Sequence, residues 1–225
     1  MRRVKMKLSS ETIDVLKNFS NINQNLLVKE GSKLRTMSTM KNILAEVNVS
    51  EVMPREFGIY DLSEFLGVLT LAQDPELEFK HDSYLTVNGG STKISYFYSD
   101  PSILVTPPDT FNEPETDVEF TVTKESMSKV QKAHAVMQLP DLVFTGTSQG
   151  VTMAVTDLKN TTSNQFEESW THIGDKAFQF NYKVENLKIM PDDYVVKVST
   201  QALVSCWTAI NKKVIYWIAL EQPSN

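Results

Sequence analysis

Cys206 is the only cysteine in 225 residues. A lone thiol cannot close an internal disulfide or build a Cys-based metal centre, and the lack of a disulfide framework fits a reducing compartment. Histidine is nearly as scarce. His81, His134 and His172 stand far apart, with no i, i+4 pair to suggest a metal site. No run approaches the roughly 18 apolar residues that span a bilayer, so no membrane partner is expected. The opening MRRVKMKLSS has two arginines but no apolar stretch behind them, which argues against a secretory leader; Met6 is a second candidate start. No G-x-x-x-x-G-K-[ST] loop is present, so ATP use is expected to belong to another protein. No G-x-S-x-G elbow is present either.

Positive charge is also in deficit: 22 Lys+Arg against 28 Asp+Glu give a net charge of −6. That argues against coating nucleic acid with the whole surface, but leaves room for a local basic patch. Hydrophobic content of 41% and charged content of 22% are ordinary for a globular chain, and the length suits one large or two small domains.

One segment runs against the acidic balance. Residues 124–137, KESMSKVQKAHAVM, carry Lys124, Lys129 and Lys132 against Glu125 alone. At about 100° per residue, Lys124, Ser128, Lys129 and Lys132 fall on one side and Met127, Val130, Ala133 and Met137 on the other. The pattern predicts an amphipathic helix with an apolar back and a cationic front. His134 falls on the apolar side, where a packed histidine is expected rather than a ligand.

Elsewhere, strands of period two dominate. A helix over 10–20 is expected, capped by Ser10, with Ile13, Leu16 and Phe19 on one face and Glu11, Asp14, Lys17 and Asn18 on the other. NLLVK, KLRTMST and ILAEVNV follow as strands. FGIY then leads into a second helix, DLSEFLGVLTLA, capped by Asp61, and on to ELEFK, SYLTV and TKISYFY. The last two are joined by NGG, a hairpin signal. The second half repeats the order: DVEFTVT, the cationic helix, DLVFTGT, GVTMAVT and a weaker NQFEESW. KAFQFNY, a short helix KVENLKIM, then DYVVKV, QALVSCWTA and KVIYWIAL complete it. Strand–helix–three-strand thus recurs four times, at a spacing of roughly 50–60 residues. Cys206 is expected in a buried strand, and Asp192–Asp193 in a solvated turn.

Residues 100–117, with Pro101, Pro107, Pro108 and Pro114, read as a linker, because proline removes backbone donors and disfavours helix. The expected organisation is a first domain over 1–99, a connector over 100–117 and a second domain over 118–225. Each helix must lay its apolar stripe on the apolar face of a sheet, so the helices share one side and their polar faces one surface. Lys17, Lys124, Lys129, Lys132, Lys183 and Lys188 lie on or beside helical segments, whereas the second helix presents only Ser63, Gly67 and Thr70.

MKLSSETIDVLKNFSNIN (6–23) and IYDLSEFLGVLTL (59–71) resemble the sliding-clamp family, more narrowly the DNA polymerase processivity factors of large tailed bacteriophages. The elements MKLS, LKNF, IN, A.VNVSEV and IYDL..FLG.L.L match in order through the first hundred or so residues; VENLKIMPDDYVVKV and IALE carry a weaker similarity in the second half. The resemblance implies an α+β fold of two similar DNA-clamp domains, each made of two strand–helix–three-strand units, with helices on the inner face of a homotrimeric ring. It implies a protein without enzymatic activity or cofactor, sequence-independent binding of duplex DNA, tethering of the replicative DNA polymerase, opening by an ATP-driven clamp loader, and a place in the cytoplasm of the infected bacterial host.

On that resemblance Lys17, Lys132 and Lys188 match basic positions of the inner helices, and Lys7, Lys124, Lys129 and Lys183 are further DNA-contact candidates. The plainer alternative is a solvated helix face. Ile103, Leu104 and Val105 of the linker, with Met190, Pro191, Ala219 and Leu220, are candidates for a partner-peptide pocket; otherwise SILV (102–105) packs back onto its own sheet. A β-rich oligomeric phage structural protein, with incidental lysines, is the alternative function. A small enzyme using an unrecognised carboxylate site is a third.

Overall fold

The computed structural model describes residues 4–160, 162–172 and 176–222. The chain divides into two compact units, Met1–Thr110 and Phe111–Asn225.

In the first unit, β1 (Val4–Met6) leads into α1 (Ser10–Ile22), followed by β2 (Leu26–Val28), β3 (Gly31–Met37) and β4 (Ile43–Met53). The order then repeats as β5 (Phe57–Ile59), α2 (Leu62–Thr70), β6 (Glu76–Phe79), β7 (Tyr84–Gly89) and β8 (Thr92–Phe97). Strands β1-β6-β7-β8 form one antiparallel sheet, β3 pairs with β4, and β2 with β5. The three residues of β1 are too few to show alternation, so the first strand of the pattern is visible only in the fold.

The cap of α1 is Ser9 rather than the expected Ser10: its hydroxyl accepts from the Thr12 N–H at 3.2 Å. Glu51 reaches the same helix start, accepting from the Ser9 amide and, at 2.6 Å, from the Thr12 hydroxyl. Both satisfy donors that a helix N-terminus leaves open. The buried stripe is Thr12, Val15, Leu16, Phe19 and Ile22, with Ile13 only half-buried. The face is turned from the one expected, toward Thr12 and Val15, which stand four residues before Leu16 and Phe19 respectively. Helix α2 begins as expected, with Asp61 accepting from the Glu64 N–H at 3.0 Å. It packs against α1 and buries Leu62, Phe65 and Leu69, with Phe65 edge-on to Tyr96 at 5.1 Å.

The second unit runs β9 (Val118–Val122), α3 (Lys124–Met137), β10 (Asp141–Gly146), β11 (Gly150–Thr156) and β12 (Phe166–Thr171). Then come β13 (Phe178–Lys183), β14 (Tyr194–Ser199), β15 (Val204–Ala209) and β16 (Val214–Ala219). Two antiparallel arrays result, β12-β11-β10-β13 and β9-β14-β15-β16. Its core is aromatic: Phe144, Tyr182, Tyr194 and Trp207 are fully buried, and Tyr182 and Tyr194 each meet Trp207 edge-on at 5.8 Å. Such edge-to-face geometry suits the ring quadrupoles.

Strand–helix–three-strand therefore occurs four times, but the fourth helix is reduced. Only a single 3-10 turn, Val184–Asn186, stands where KVENLKIM was expected to be helical. Val184, Leu187 and Met190 are all buried, at a spacing of three that suits a tighter turn. Pro191 disfavours α geometry at the residue before it. Two further expectations are corrected. Cys206 is half-buried, on the face of β15 opposite the buried Ser205 and Trp207. It lines a cavity of about 150 Å³ with Glu113, Pro114, Thr116, Lys197, Val204 and Trp217, and burial pushes its thiol pKa up. Asp192 is not solvated: it is 4% exposed and accepts from Asp193 N and Lys212 N, both at 2.7 Å, and from Asn211 Nδ2 at 2.7 Å.

Candidate nucleic-acid interface

Helix α3 folds with the two faces its sequence predicts. Ser126, Met127, Val130 and Ala133 are buried; Lys124, Ser128, Gln131 and Lys132 are exposed. Met137, placed on the apolar side, is half-buried. The helix start is held by Thr123, whose hydroxyl accepts from Ser126 N–H at 3.1 Å, and by Asp193, whose Oδ1 accepts from Lys124 N–H at 2.7 Å. Asp193 was legible only as half of a turn; its capping role depends on a partner 69 residues away. The helix ends at Gln138 in the left-handed conformation, φ 58°. His134 Nδ1 lies 2.7 Å from the Leu139 carbonyl oxygen, the packed role expected of it.

The seven candidate lysines divide by their company. Lys132 and Lys124 project from α3 with no carboxylate within ion-pair distance among the described residues. Lys129, one position from the middle of the same face, is 3.1 Å from Glu125 Oε1 and 2.8 Å from Glu168 Oε1 on β12. The hydrogen bond it donates to Glu168, and then that to Glu125, raises its pKa. Lys183 ends β13 and is paired with the buried Asp141, whose hydrogen bond raises the Lys183 pKa. Both cations thus have carboxylate partners within the fold, with which a phosphate would have to compete. Lys17 is exposed on α1, 3.3 Å from Asp14 Oδ1 one turn earlier. An exposed pair of that kind holds a lysine weakly. Lys7 precedes α1 and pairs with Asp74, both exposed. Lys188 is exposed after the 3-10 turn. The exposed face of α2, Ser63, Glu64, Gly67 and Thr70, carries no cation.

The apolar candidates are placed unit by unit. In the first, Ile103 closes a 3-10 turn (Pro101–Ile103) and is 59% exposed. Leu104 is 8% exposed and packs over Gly58, where an added Cβ would come within 2.9 Å of Leu104 Cδ1. It is therefore a core residue rather than an exposed docking anchor, because Gly58, lacking a side chain, leaves room for it. Val105 is half-buried. In the second unit Met190 is buried, Pro191 exposed, and Ala219 and Leu220 half-buried. Met190 is tied to Tyr216, whose hydroxyl oxygen accepts its N–H at 3.1 Å, and to Tyr194, whose hydroxyl donates to its carbonyl.

Among the described residues no cluster of three or more His, Cys, Asp or Glu could hold a metal ion, and no helix is long and apolar enough to cross a membrane.

Residues 7–106 match the family of DNA polymerase processivity factors. The sliding clamp of Vibrio phage KVP40 is 33% identical over 202 residues, spanning 86% of this chain and 90% of that protein. The sliding clamp of Enterobacteria phage T4 is 25% identical over 224 residues, 97% of this chain and 98% of that one. Among solved structures, the PCNA of A. fulgidus, determined with the C-terminal region of FEN-1 bound, superposes with a TM-score of 0.71 over the whole of both chains. Its 14% identity makes it a witness to the fold alone. With its four repeated units and a phage relative matched along nearly its full length, the chain belongs to the sliding-clamp family, the non-catalytic processivity factors of phage DNA polymerases.

Proposed function

We propose that three identical copies of this clamp close into a ring around duplex DNA, with α1, α2 and α3 turned toward the hole. The observation that carries this reading is the two-faced α3: Met127, Val130 and Ala133 buried, Lys124 and Lys132 exposed, in a chain of net charge −6. A cationic strip on an acidic protein draws phosphate to one face, and the acidic remainder repels stray DNA. Lys17 in the first unit and Lys188 in the second contribute further cations, as does Lys7, for which a phosphate would compete with Asp74. Lysines are mobile point charges that meet phosphates without reading bases, so the ring would be held by topology and remain free to slide. The alternatives of a virion component or a carboxylate enzyme fall with membership of a family of non-catalytic processivity factors.

Self-assembly has a physical route in two open sheet edges. Among the described residues, strand β8 in the first unit and β12 in the second each lack a neighbour on one side. Head-to-tail pairing of β8 with β12 of the next copy would close a ring and hide both edges. Exposed Lys93 on β8 and Glu167 on β12 supply opposite charges for such a seam.

The replicative polymerase docks, in this reading, on the connector over 100–117 between domains 1–99 and 118–225, with Ile103 as the exposed apolar anchor. In the first unit Val105 is a further contact; in the second, Pro191, Ala219 and Leu220, with the buried Met190, are candidate contacts in their own right. A partner's terminal segment bound to the archaeal relative makes a peptide the natural ligand. An ATP-driven loader would open the ring, in the cytoplasm of the infected host. Two measurements test the whole: light scattering, and retention on circular against linear DNA after loading. A trimer that stays on circles and runs off linear ends is expected. A monomer at every concentration, or equal retention on both templates, would overturn the ring.

A further inference from the structure

We propose that Asn23 and Asn25 latch the connector to the end of α1 and act as positioning residues for partner docking. The docking half of this inference rests on the reading of Ile103 given above; the latch itself rests on geometry. Asn23 caps α1, its N–H bonding to the Phe19 carbonyl at 2.8 Å, and is only 6% exposed. Its Nδ2 donates to the Met37 carbonyl at 2.9 Å and to the Val105 carbonyl at 3.0 Å. Its Oδ1 accepts from Asn25 N–H at 2.9 Å. Asn25 completes the grip: Oδ1 accepts from Val105 N–H at 3.2 Å, and Nδ2 donates to the Tyr60 carbonyl at 2.7 Å. Both backbone groups of Val105 are thus satisfied by side-chain amides that lie 82 and 80 residues earlier in the chain. Carbonyls on one side and N–H groups on the other leave a single amide orientation for each asparagine.

The latch matters because of what stands beside it. Upstream, Ser99 N–H bonds to the Gly58 carbonyl at 3.0 Å, and Asp100 Oδ1 accepts from Ser102 N–H at 2.9 Å. Downstream comes the grip on Val105. Between these ties, the one large exposed apolar side chain is Ile103. A further tie, Arg35 Nη1 to the Pro108 carbonyl at 2.8 Å, lies beyond the latch and does not fix Ile103 directly. An apolar anchor on a turn pinned at both ends is already ordered before a partner arrives, so less entropy is lost on docking. The same helix that carries Lys17 thereby roots the docking strap.

The chemistry of the two amides supplies the test. Asn25→Ala removes both the acceptor of Val105 N–H and the donor to Tyr60, whereas Asn25→Asp keeps the acceptor of Val105 N–H and turns its second oxygen toward the Tyr60 carbonyl, an exposed site where water can separate the two oxygens. Asn23→Asp places a carboxylate against two carbonyl oxygens. Hydrogen–deuterium exchange over residues 103–106 is expected to rise roughly three- to tenfold in Asn25→Ala and Asn23→Asp, the change expected for one hydrogen bond, and to stay within about twofold of the parent in Asn25→Asp. Processive synthesis by the phage polymerase on primed circular DNA should fall severalfold in the first two variants and be restored in Asn25→Asp. Parental exchange in Asn25→Ala would remove the latch. Raised exchange with parental synthesis would remove the positioning role. Ile103→Asp separates the premises: if it leaves synthesis unchanged, the docking site itself is wrong, whatever the exchange shows. The Asn25 pair keeps the test decisive should Asn23→Asp fail to fold.

Discussion

Lys129 Nζ lies 2.8 Å from Glu168 Oε1, so the central lysine of α3 is bound to strand β12 while Lys132, three residues on, stands clear. The two should separate in a salt titration of DNA binding. Replacing Lys132 by alanine removes one phosphate contact and should lower the slope of log K against log salt by about 1. Lys129→Ala should leave that slope nearly unchanged. Equal slopes for the two variants would mean that the Glu168 bond yields to DNA and that Lys129 belongs to the contact surface.

Lys124 occupies the first turn of α3, where the positive end of the helix dipole meets a positive side chain. Such placement costs about 0.3–1 kcal/mol, partly offset here by the Asp193 cap. Lys124→Glu should therefore raise the midpoint of thermal unfolding slightly while weakening retention on DNA. A variant that gains stability and keeps full retention would show that Lys124 is only a surface residue.

Why could the sequence not tell Lys129 from Lys132? Both fall on the polar side of the wheel; Glu125, four residues before Lys129, is local and legible, but the shorter bond is to a carboxylate 39 residues away on another strand. The four-unit plan was legible because helix and strand periods are local properties, and α3 buries the Met127, Val130 and Ala133 that its wheel predicts. What local pattern could not supply was register and long-range company. The cap of α1 is Ser9 rather than Ser10, and its buried face includes Val15, which only packing against the rest of the unit decides. A spacing of three at Val184, Leu187 and Met190 looked helical but folded as one 3-10 turn. Apolar neighbours made Cys206 look like core, although alternation along β15 places it on the other face.

Ile103 and Leu104 are adjacent but serve opposite environments, 59% and 8% exposed. Leu104→Asp would bury a carboxylate over Gly58 and should destabilise the first unit by about 3 kcal/mol or more, with loss of binding as a secondary effect. Ile103→Asp should shift stability by no more than about 0.5 kcal/mol yet reduce polymerase coupling strongly. Denaturant unfolding followed by synthesis assays on both variants checks the pair. Were Ile103→Asp to unfold like Leu104→Asp, the exposed turn would be part of the core.

Asp192 gives the clearest pH dependence. Burial pulls its carboxyl pKa up, but hydrogen bonds from Asn211, Asp193 and Lys212 outweigh that and hold it below the ordinary value. A group lowered on folding contributes stability that is complete above its unfolded pKa of about 3.9 and disappears as pH falls through the folded pKa. Asp192→Ala should cost about 1–3 kcal/mol near neutrality, because Asn211 and Lys212 lose a buried acceptor. Part of that cost is the unpaired N–H groups, which persist at any pH; the rest is charge, which does not. Denaturant unfolding of parent and variant across the acid range should therefore show a gap that narrows below about pH 4 without closing. A constant gap would mean that the carboxylate's charge contributes nothing and that Asp192 acts only as a neutral acceptor.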